Sequence, residues 1–505
     1  MSIPARLSVL FATEGTYPYH GGGVSTWCHA LTTQLSEVDF TLFAVSMHPY
    51  LDRAYHLPSN ITNVMTVPLW GTEDMAEYGR YGSAAEFLGA RWSTTNAVVA
   101  SEFTPAYEQV LRAVTSKRSD AAAFADGLTR MYRHFMRFDH HQTMTSESVW
   151  RAFVRVASDT WSRECPDLAP PALGEMADAW RLLTRLFSVL AQPIPRTDVT
   201  HSAAAAFCGL PCVVAKQLWG TPYLLTEHGV YLREQYLNLA RSVPSFFVRW
   251  FLLRVSSAVA DLNYTYADQV SPVCDYNTRW ERWRGTNPAR IRVIYNGVDP
   301  GRFAPPKVPV PPNRRPTVAC VGLIFPLKGQ LDLIEATAIV RRTVPDVEVR
   351  LFGSASDQDY DDLCRAKVRE LGLTDHVVFA GASDKIWEVY QSADVVAMPS
   401  ISEGFPYAVL EAMSSGAAVV ATDVGGVSEA LGSAGVLVTP HDPVGMADAL
   451  VALLRSPAER RRLGAEARAR ALQHFSEERF VGEYRASYRR LARRETGRDA
   501  VRALG

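Results

Sequence analysis

The chain has 505 residues, which at roughly 150 residues per domain predicts two to four domains. Hydrophobic residues make up 47% and charged residues 21%, a composition that excludes a mainly disordered chain. Lysine plus arginine number 52 against 53 for aspartate plus glutamate, so the net charge is -1 and no nucleic acid is expected as a partner.

Cysteine usage and the lengths of the apolar runs indicate a compartment. The seven cysteines are scattered and include no C-x-x-C pair, which argues against a zinc site or a disulfide framework. The short N-terminal apolar run meets Glu14 and does not resemble a signal peptide. No apolar stretch reaches the roughly 18 to 20 residues that span a bilayer. We therefore expect a cytoplasmic protein without a transmembrane segment.

Strand-like and helix-like segments alternate in the first 300 residues, with one long interruption. Compact apolar runs predict buried parallel strands at 7–12, 40–45, 62–67, 198–201, 222–226 and 293–295. The first strand is followed by Gly21-Gly22-Gly23 and an amphipathic helix at 24–35, and a second helix is predicted at 203–216. From about 73 to 190 apolar residues recur at helical spacing, which predicts a helical insertion.

A proline-rich segment with little apolar content marks the clearest linker, and it contains Pro305, Pro306, Pro309, Pro311 and Pro312. After it, six further strands are predicted at 317–321, 347–352, 377–379, 395–398, 418–421 and 436–438. Residues 443–491 are predicted to be largely helical. The pattern predicts an α/β protein with two doubly wound parallel sheets, Rossmann-like domains that face each other across a cleft.

The predicted domains are an N-terminal domain at 1–304 and a C-terminal domain at 313–475. The helical insertion of the first domain covers about 70–195. A last helix at 476–505 is expected to pack back on the N-terminal domain. Ligands of doubly wound sheets bind beyond the carboxyl ends of the strands, so the informative residues should lie just after strands.

The most specific motif follows the predicted strand at 395–398 and reads Ser402-Glu403-Gly404-Phe405-Pro406-Tyr407-Ala408-Val409-Leu410-Glu411-Ala412. Its apolar second half predicts the start of a helix, whose unpaired N–H groups and positive dipole end suit a phosphate. Glu411 would lie about one turn inside this helix, within reach of ribose hydroxyls, and Glu403 would lie before it, where it could meet a sugar. A capped helix with two incidental acids is the alternative interpretation.

The spacing from Glu403 to Glu411 is similar to the E-x7-E motif of family 4 retaining glycosyltransferases, which have the two-domain GT-B fold, and the segment 417–426 also resembles that family. The resemblance implies that the C-terminal domain binds the nucleotide sugar and that the N-terminal domain lies on the acceptor side. It implies that Glu411 binds the nucleotide ribose and that Glu403 contacts the donor sugar. It also implies that the backbone after Glu403 holds the sugar and the diphosphate, through Gly404, Phe405, Pro406, Tyr407, Ala408 and Val409.

Two N-terminal motifs narrow the resemblance to the PelF-like branch of exopolysaccharide glycosyltransferases: Glu14-Gly15-Thr16-Tyr17-Pro18-Tyr19-His20-Gly21-Gly22-Gly23-Val24-Ser25 and Thr226-Glu227-His228-Gly229-Val230-Tyr231. The resemblance implies a hexosyltransferase with a UDP-linked donor, a glycan acceptor, no further cofactor and no bound metal. It also implies a location in the cytoplasm, peripheral to the inner face of the membrane, with a membrane-bound polysaccharide synthesis complex as a partner.

Four residues of the N-terminal domain are further candidates. Gly22 and Gly23 are expected to let the backbone approach the donor diphosphate or the acceptor, with a plain tight turn as the alternative. His228 ends a predicted strand, and the resemblance places it near the donor sugar, in a role of orientation and electrostatics; a satisfied core histidine is the alternative. His201, after another short strand, is a candidate for contact with the acceptor.

Lys328, in the segment 321–329, is expected to reach the donor diphosphate and to stabilise charge on the leaving group, with a solvated surface lysine as the alternative. The same segment departs from the family, in which an arginine commonly stands where this chain has Leu323. Loss of that bidentate donor puts the affinity for the nucleotide sugar in question.

Two other functions stay open at this point. A UDP-sugar epimerase on the same fold would share the nucleotide site but would need acid and base carboxylates that face the sugar from both domains, and the E-x7-E motif argues against it. A non-catalytic nucleotide-sugar-binding subunit of a polysaccharide synthesis complex is motivated by Leu323, and it would bind a donor without turnover. The sequence identifies neither the sugar nor the acceptor.

Overall fold

The computed structural model describes residues 6–70, 81–116, 120–306 and 314–502, with side chains described as far as residue 493. The chain divides into two compact units: unit 1 comprises Met1–Pro272, Arg279–Arg292 and Arg485–Gly505, and unit 2 comprises Val273–Thr278 and Val293–Tyr484. Three of the predicted linker prolines, Pro309, Pro311 and Pro312, lie outside the described residues, as does residue 313, where the second domain is predicted to begin.

Within the described residues, unit 1 is built on a six-stranded parallel sheet in the order β3-β2-β1-β4-β5-β6. Its strands are β1 (Leu7–Glu14), β2 (Val38–Ser46), β3 (Ile61–Pro68), β4 (Val199–Ser202), β5 (Tyr223–Glu227) and β6 (Gln269–Pro272). The central strand β1 pairs with β2 and β4, and its residues from Val9 to Ala12 are 0% exposed. Burial on both faces explains why this strand reads as a continuous apolar run.

The region predicted as an insertion is helical in its described part, 81–116 and 120–190, where no strand occurs. The helices of unit 1 are α1 (Gly23–Gln34), α2 (Ala84–Ser93), α3 (Asn96–Val98), α4 (Thr104–Thr115), α5 (Ala121–Phe135), α6 (His140–Met144), α7 (Glu147–Glu164), α8 (Leu173–Leu186), α9 (Leu210–Trp219), α10 (Tyr231–Ser242) and α11 (Phe246–Tyr266). Apolar side chains of the insertion and of the sheet, Phe124 and Leu10 among them, form one buried cluster. The insertion therefore packs on the sheet as part of unit 1.

Unit 2 repeats the same sheet topology, in the order β12-β11-β10-β7-β8-β9 within the part of the chain that the structure describes. Its strands are β7 (Thr317–Val321), β8 (Glu348–Phe352), β9 (Val377–Gly381), β10 (Val395–Met398), β11 (Ala418–Thr422) and β12 (Val436–Val438). Its helices are α13 (Gln330–Val340), α14 (Gln358–Glu370), α15 (Ile386–Ser392), α16 (Tyr407–Ser414), α17 (Val427–Leu431), α18 (Pro443–Arg455) and α19 (Pro457–His474). The two sheets confirm the predicted α/β fold class.

Two further helices, α12 (Asp275–Trp283) and α20 (Glu477–Arg502), each carry residues of both units. In each sheet the chain order reverses at one point, between β1 and β4 in unit 1 and between β7 and β10 in unit 2. Ligands of doubly wound sheets bind at the carboxyl ends of the strands beside this point. The two reversal points therefore define where functional residues are to be sought.

Two of the predicted elements are wrong. Residues 293–295 form no strand. The sixth strand of unit 1 is β6, which lacks the apolar run that predicts a buried strand, because Val270 is its single aliphatic residue. The predicted helix at 203–216 is instead a short 3-10 turn at Phe207–Gly209 followed by α9. Pro211 explains this later start, because proline is favoured in the first turn of a helix, where its missing N–H has no helical partner.

Candidate active site

The sheet of unit 2 brings two predicted donor residues together. Lys328 follows β7 and Glu403 follows β10, which are neighbouring strands at the reversal point. Lys328 Nζ lies 2.6 Å from Glu403 Oε1, and Ser400 Oγ donates to the same oxygen at 2.7 Å. The Glu403 side chain is 9% exposed and that of Lys328 is 32% exposed. The lysine is therefore the accessible partner of an ion pair at the ligand-binding edge of the sheet.

The loops that carry this ion pair approach other backbone segments closely at two glycines. Gly329 has φ +67°, and a Cβ at this position would lie 2.0 Å from the carbonyl oxygen of Pro399. Gly425 has φ +58°, and a Cβ there would lie 1.9 Å from the carbonyl oxygen of Glu403. Only glycine combines this conformation with such close contact, so both loops are fixed by the sequence in the positions that place Lys328 and Glu403.

Helix α16 begins at Tyr407, shortly after Glu403, as the E-x7-E motif predicts. The backbone before the helix is anchored: Asn296 Nδ2 donates to the carbonyl oxygen of Phe405 at 2.8 Å, and the N–H of Gly426 donates to that of Gly404 at 2.8 Å. Pro406 precedes the first turn and supplies no side-chain cap. The first turn consists of Tyr407, Ala408 and Val409, whose N–H groups have no acceptor within the helix. These groups can bind an anion.

Glu411 lies one turn further along α16, and its side chain is partly buried. The hydroxyl of Tyr390 donates to Glu411 Oε2 at 2.8 Å. Burial raises the pKa of Glu411 above its ordinary value, while the Tyr390 hydroxyl and the nearby Arg302 guanidinium act in the opposite direction. Arg302 itself lies over the ring of Trp387, with its guanidinium carbon 5.1 Å from the ring centroid. Glu411 is thus held by a fixed donor and keeps one carboxyl oxygen for another hydrogen-bond donor.

The glycine loop of unit 1 joins β1 to α1. Gly21, Gly22 and Gly23 are exposed, and a Cβ at Gly21 or Gly22 would meet no atom within 4 Å. Gly22 is the N-terminal cap of α1 and offers no side chain to its first turn. The loop therefore leaves an open approach to the N-terminal N–H groups of this helix.

His228 follows directly after β5, as predicted. Its ring packs edge-on against Trp27, with the ring centroids 4.6 Å apart. Its Nε2 atom is buried and has no hydrogen-bond partner among the residues that the structure describes. Burial lowers the pKa of His228 to about 3, so the imidazole is neutral at neutral pH. A neutral ring with one unused nitrogen is suited to orient a ligand by a hydrogen bond.

His201 occupies a different kind of position from the one predicted. It lies within β4 and is 0% exposed, with Nδ1 2.7 Å from the hydroxyl of Tyr488 and Nε2 2.8 Å from the hydroxyl of Thr226. An acceptor cannot reach this side chain in the structure. No local pattern indicates this burial, because Tyr488, in the part of α20 that belongs to unit 1, contacts His201 from a position 287 residues away in the sequence.

Leu323 stands in the loop after β7 with 45% of its surface exposed, and its carbonyl oxygen accepts from Gln330 Nε2 at 2.9 Å. The position is thus on the accessible side of the loop, where a basic residue would face solvent. Lys328 is the cation that meets Glu403 in the described residues.

Sequence reasoning did not single out the side chains that support the predicted residues. Ser400 could have been found, because it lies between β10 and the E-x7-E motif. Tyr390 and Arg302 carry no local signal, since they lie 21 and 109 residues before Glu411 on other elements. Nowhere in the described ranges do three or more histidine, cysteine, aspartate or glutamate side chains group in a way that could hold a metal ion. The described helices likewise include none that is long and apolar enough to cross a membrane.

Comparisons with known proteins agree with this geometry. The model of the glycosyl transferases group 1 family matches residues 304–470, and that of a domain of unknown function, DUF3492, matches residues 7–289. The chain is 31% identical over 304 residues to a D-inositol 3-phosphate glycosyltransferase of Pseudarthrobacter chlorophenolicus, a match that covers 55% of this chain and 68% of the relative. The chain belongs to the group 1 glycosyltransferases, and its N-terminal part carries the DUF3492 domain. A D-inositol 3-phosphate glycosyltransferase of Salinispora tropica is 32% identical over 294 residues.

The match to the Salinispora relative covers 53% of this group 1 glycosyltransferase and 59% of the relative, less than two thirds of its length. Two solved structures share the fold of this chain. Sucrose-phosphate synthase of Thermosynechococcus elongatus superposes with a TM-score of 0.60 at 17% identity, covering 96% of this chain and 99% of that one. HepE of Anabaena, solved in complex with UDP, gives a TM-score of 0.57 at 16% identity, over 95% and 99%. The protein therefore has the GT-B fold.

Proposed function

We propose that the protein is a retaining glycosyltransferase that moves a hexose from a UDP-linked donor to a glycan acceptor in exopolysaccharide synthesis. The observation that carries the proposal is the arrangement at the reversal point of unit 2, where Lys328 and Glu403 form an ion pair beside the N-terminus of α16 and Glu411 lies one turn beyond. The cation and the free N–H groups suit the negative charge of a diphosphate, and the two carboxylates suit the hydroxyl groups of the ribose and of the sugar.

In this proposal each group of unit 2 meets one part of the donor. The ribose hydroxyls donate to Glu411, whose second donor is the Tyr390 hydroxyl. The diphosphate binds to the N–H groups at the start of α16 and to Lys328. Glu403 accepts from hydroxyls of the sugar, with Ser400 and Lys328 keeping its carboxylate in place. UDP as the nucleotide is supported by the motif resemblance and is consistent with the UDP complex of the structural neighbour HepE.

The proposed chemical step is the one that the resemblance to retaining family 4 enzymes implies. The bond between the anomeric carbon and the β-phosphate oxygen breaks, and a bond to the acceptor oxygen forms on the same face. The acceptor proton passes to the departing phosphate oxygen, so the products are the glycoside and UDP. Lys328 and the α16 N-terminus stabilise the charge on the leaving diphosphate. Glu403 is not a covalent nucleophile in this step, and the neutral ring of His228 serves to orient the reacting groups.

The cellular setting is proposed from the resemblance to the PelF-like branch. It comprises a place in the cytoplasm at the inner face of the membrane and a membrane-bound polysaccharide synthesis complex as a partner. Independence of a bound metal and the absence of a further cofactor are proposed on the same basis. The D-inositol 3-phosphate glycosyltransferases among the relatives have a different acceptor in their names, so the glycan acceptor is proposed from the PelF-like resemblance alone.

The experiment is a donor screen with the purified full chain. UDP release is measured with UDP-glucose, UDP-galactose, UDP-N-acetylglucosamine and the corresponding GDP sugars, with and without glycan acceptors, in the presence and absence of EDTA. We expect turnover of one UDP sugar that EDTA does not change, and a product with the anomeric configuration of the donor by NMR.

The same assay is made with Lys328→Met. Its matched control is Lys385→Met, which removes an exposed lysine of unit 2 beside α15. Binding of a UDP sugar without any turnover would support the non-catalytic subunit instead. Conversion of the UDP sugar to its epimer would support the epimerase, and an inverted product would contradict the retaining mechanism.

A further inference from the structure

Two buried glutamates lie at the carboxyl end of β5, next to His228. Glu227 is the last residue of β5 and is 1% exposed, and Glu281, in α12, is 0% exposed. Their carboxyl groups lie close enough to share a hydrogen bond when one of them carries a proton. Both residues belong to unit 1, and the proposed reaction uses neither.

The donors around the pair serve Glu227 and leave Glu281 without one. The hydroxyl of Tyr264 donates to Glu227 Oε1 at 2.5 Å, and the backbone N–H of Tyr231 also stabilises the Glu227 carboxylate. Within the described residues, no N–H or O–H donor reaches Glu227 Oε2 or either carboxyl oxygen of Glu281. A proton on Glu281, donated to Glu227 Oε2, supplies the missing donor and removes one of two adjacent buried charges.

The surrounding charges favour retention of this proton. The charged and titratable groups that face the pair are Tyr264 and Asp261 on α11, Glu234 on α10, and Arg282 and Arg284 at and after the end of α12. Arg284 is already paired with an aspartate at 2.6 Å, and the Arg282 side chain is exposed. Burial and the neighbouring carboxylate raise the pKa of Glu281. The pair therefore holds a proton at neutral pH.

The pair also lies where several elements meet. Glu227 ends β5, and its carboxyl contacts the start of α10 through Tyr231, α11 through Tyr264 and α12 through Glu281. His228 is the next residue in the chain. A turn that is tied to three helices leaves its following residue little freedom, and the unused Nε2 of His228 then keeps one direction.

We propose that Glu281 is a positioning residue: as the protonated member of the pair, it donates to Glu227 and holds the 227–229 turn so that His228 keeps its orientation for glycosyl transfer. The effect on turnover rests on the proposed function. The shared proton and the state of His228 can be measured on the protein without any substrate, so failure of this inference is distinguishable from failure of the proposed function.

The test compares Glu281→Gln with Glu281→Leu. The amide of glutamine keeps a donor for Glu227 at every pH, whereas leucine fills the space without a donor. The imidazole signal of His228 is followed by NMR in the free protein and is assigned by its loss in His228→Asn. Infrared difference spectra between wild type and Glu281→Gln report on a protonated carboxyl group. Glu147→Leu, which replaces an exposed glutamate of α7, is the matched control.

We expect the spectrum of wild type to contain a protonated carboxyl band that Glu281→Gln lacks. The His228 signal should coincide in wild type, Glu281→Gln and the control, and should shift in Glu281→Leu. In wild type it should shift at alkaline pH, when the pair loses its last proton, and in Glu281→Gln it should not. If turnover is found, kcat of wild type should decline at alkaline pH, and Glu281→Leu should lower kcat by more than tenfold. Glu281→Gln should keep the kcat of wild type and show no decline at alkaline pH.

Three results would overturn the inference. One is the absence of a protonated carboxyl band that depends on Glu281. Another is a His228 signal that is the same in all variants, and the third is an effect of Glu281→Gln as large as that of Glu281→Leu. If Glu281→Leu does not fold, the comparison of wild type with Glu281→Gln across the pH range decides by itself.

Discussion

The ligand-binding edges of the two sheets have the same topology and different chemistry. In unit 2 the edge carries the Lys328–Glu403 ion pair, whose lysine is 32% exposed. In unit 1 the edge carries His228, a neutral histidine with a buried Nε2 atom, and the proton-sharing pair of the buried Glu227 and Glu281. A partly exposed ion pair is weak and can exchange partners with a charged ligand. Buried side chains that are tied to several elements by hydrogen bonds are rigid, and replacing one of them is costly.

This difference teaches how one fold can divide two tasks. The unit 2 edge carries charged side chains that suit a diphosphate and that contribute little to the stability of the fold. Substitutions there should therefore affect binding and turnover more than stability. The unit 1 edge has few accessible charges and many buried contacts, so substitutions there should affect orientation, stability and pH dependence. Fold alone does not predict this division, because function depends on the loops that each sheet carries.

The largest expected effect is on the unit 2 edge. Lys328→Met should lower turnover of the donor by about 100- to 1000-fold, the range found when one group that stabilises developing charge is removed. The free energy of unfolding should change by less than about 1 kcal/mol, because the ion pair is partly exposed. Initial rates and denaturant unfolding measure the two quantities. A large loss of stability with unchanged turnover would reverse the comparison between the two edges.

The second effect is on the unit 1 edge. His228→Ala should lower kcat by about 10- to 100-fold, the equivalent of one hydrogen bond lost from an oriented group, and should leave the affinity for UDP unchanged. Kinetics and calorimetry on the same preparation check this separation. His141→Ala removes an exposed histidine of the same unit and is the control. A weaker affinity for UDP without a change in kcat would assign His228 to donor binding instead.

The third effect tests the support beneath the E-x7-E motif. Asn296→Ala removes the donor to the carbonyl oxygen of Phe405 and leaves that buried oxygen without it. The expected cost is about 1 to 3 kcal/mol in the free energy of unfolding of unit 2, together with weaker binding of UDP. Urea unfolding is the measurement, and Asn238→Ala, at an exposed position of α10, is the control. No change in stability would show that the motif does not depend on this anchor.

The last expected effect is the pH dependence of stability in unit 1. The pKa of Glu281 is raised to about 10, so the folded chain keeps a proton that the unfolded chain releases near pH 4.5. Folded protein then binds more protons than unfolded protein between these values, and stability falls as the pH rises, with a slope of up to about 1.4 kcal/mol per pH unit. Wild type should lose stability relative to Glu281→Gln from pH 5 to pH 9. Parallel curves of Tm against pH for the two proteins would contradict the shared proton.

Much of the fold could be predicted from the sequence, because strands buried on both faces are continuous apolar runs. The predicted strand at 395–398 coincides with β10 for this reason. Strand β6 was missed because it is polar and depends on partners far along the chain: Gln269 Nε2 donates to Ser487 Oγ at 3.1 Å. The apolar run at 293–295 was misleading because apolar residues also pack in irregular segments.

The candidate site could be predicted only in part. Lys328 and Glu403 lie in loops that follow strands, and Glu411 lies one turn inside the helix that follows Glu403, so the rule for doubly wound sheets leads to all three. The structure places Lys328 against Glu403. The contact between Glu227 and Glu281 joins residues 54 positions apart on different elements, and no local pattern indicates it. The burial of His201 has the same cause, since it depends on the distant Tyr488.

The most direct test of the donor site is nucleotide binding by calorimetry, with UDP against GDP, ADP and TDP on wild type, Glu411→Ala and Glu388→Ala. Glu388 is an exposed glutamate of α15 and provides the control. We expect UDP to bind most tightly, Glu411→Ala to weaken it at least tenfold through the lost charged hydrogen bonds, and Glu388→Ala to match wild type. Folded protein that binds no nucleotide, or that binds UDP equally well without Glu411, would contradict the proposed donor site.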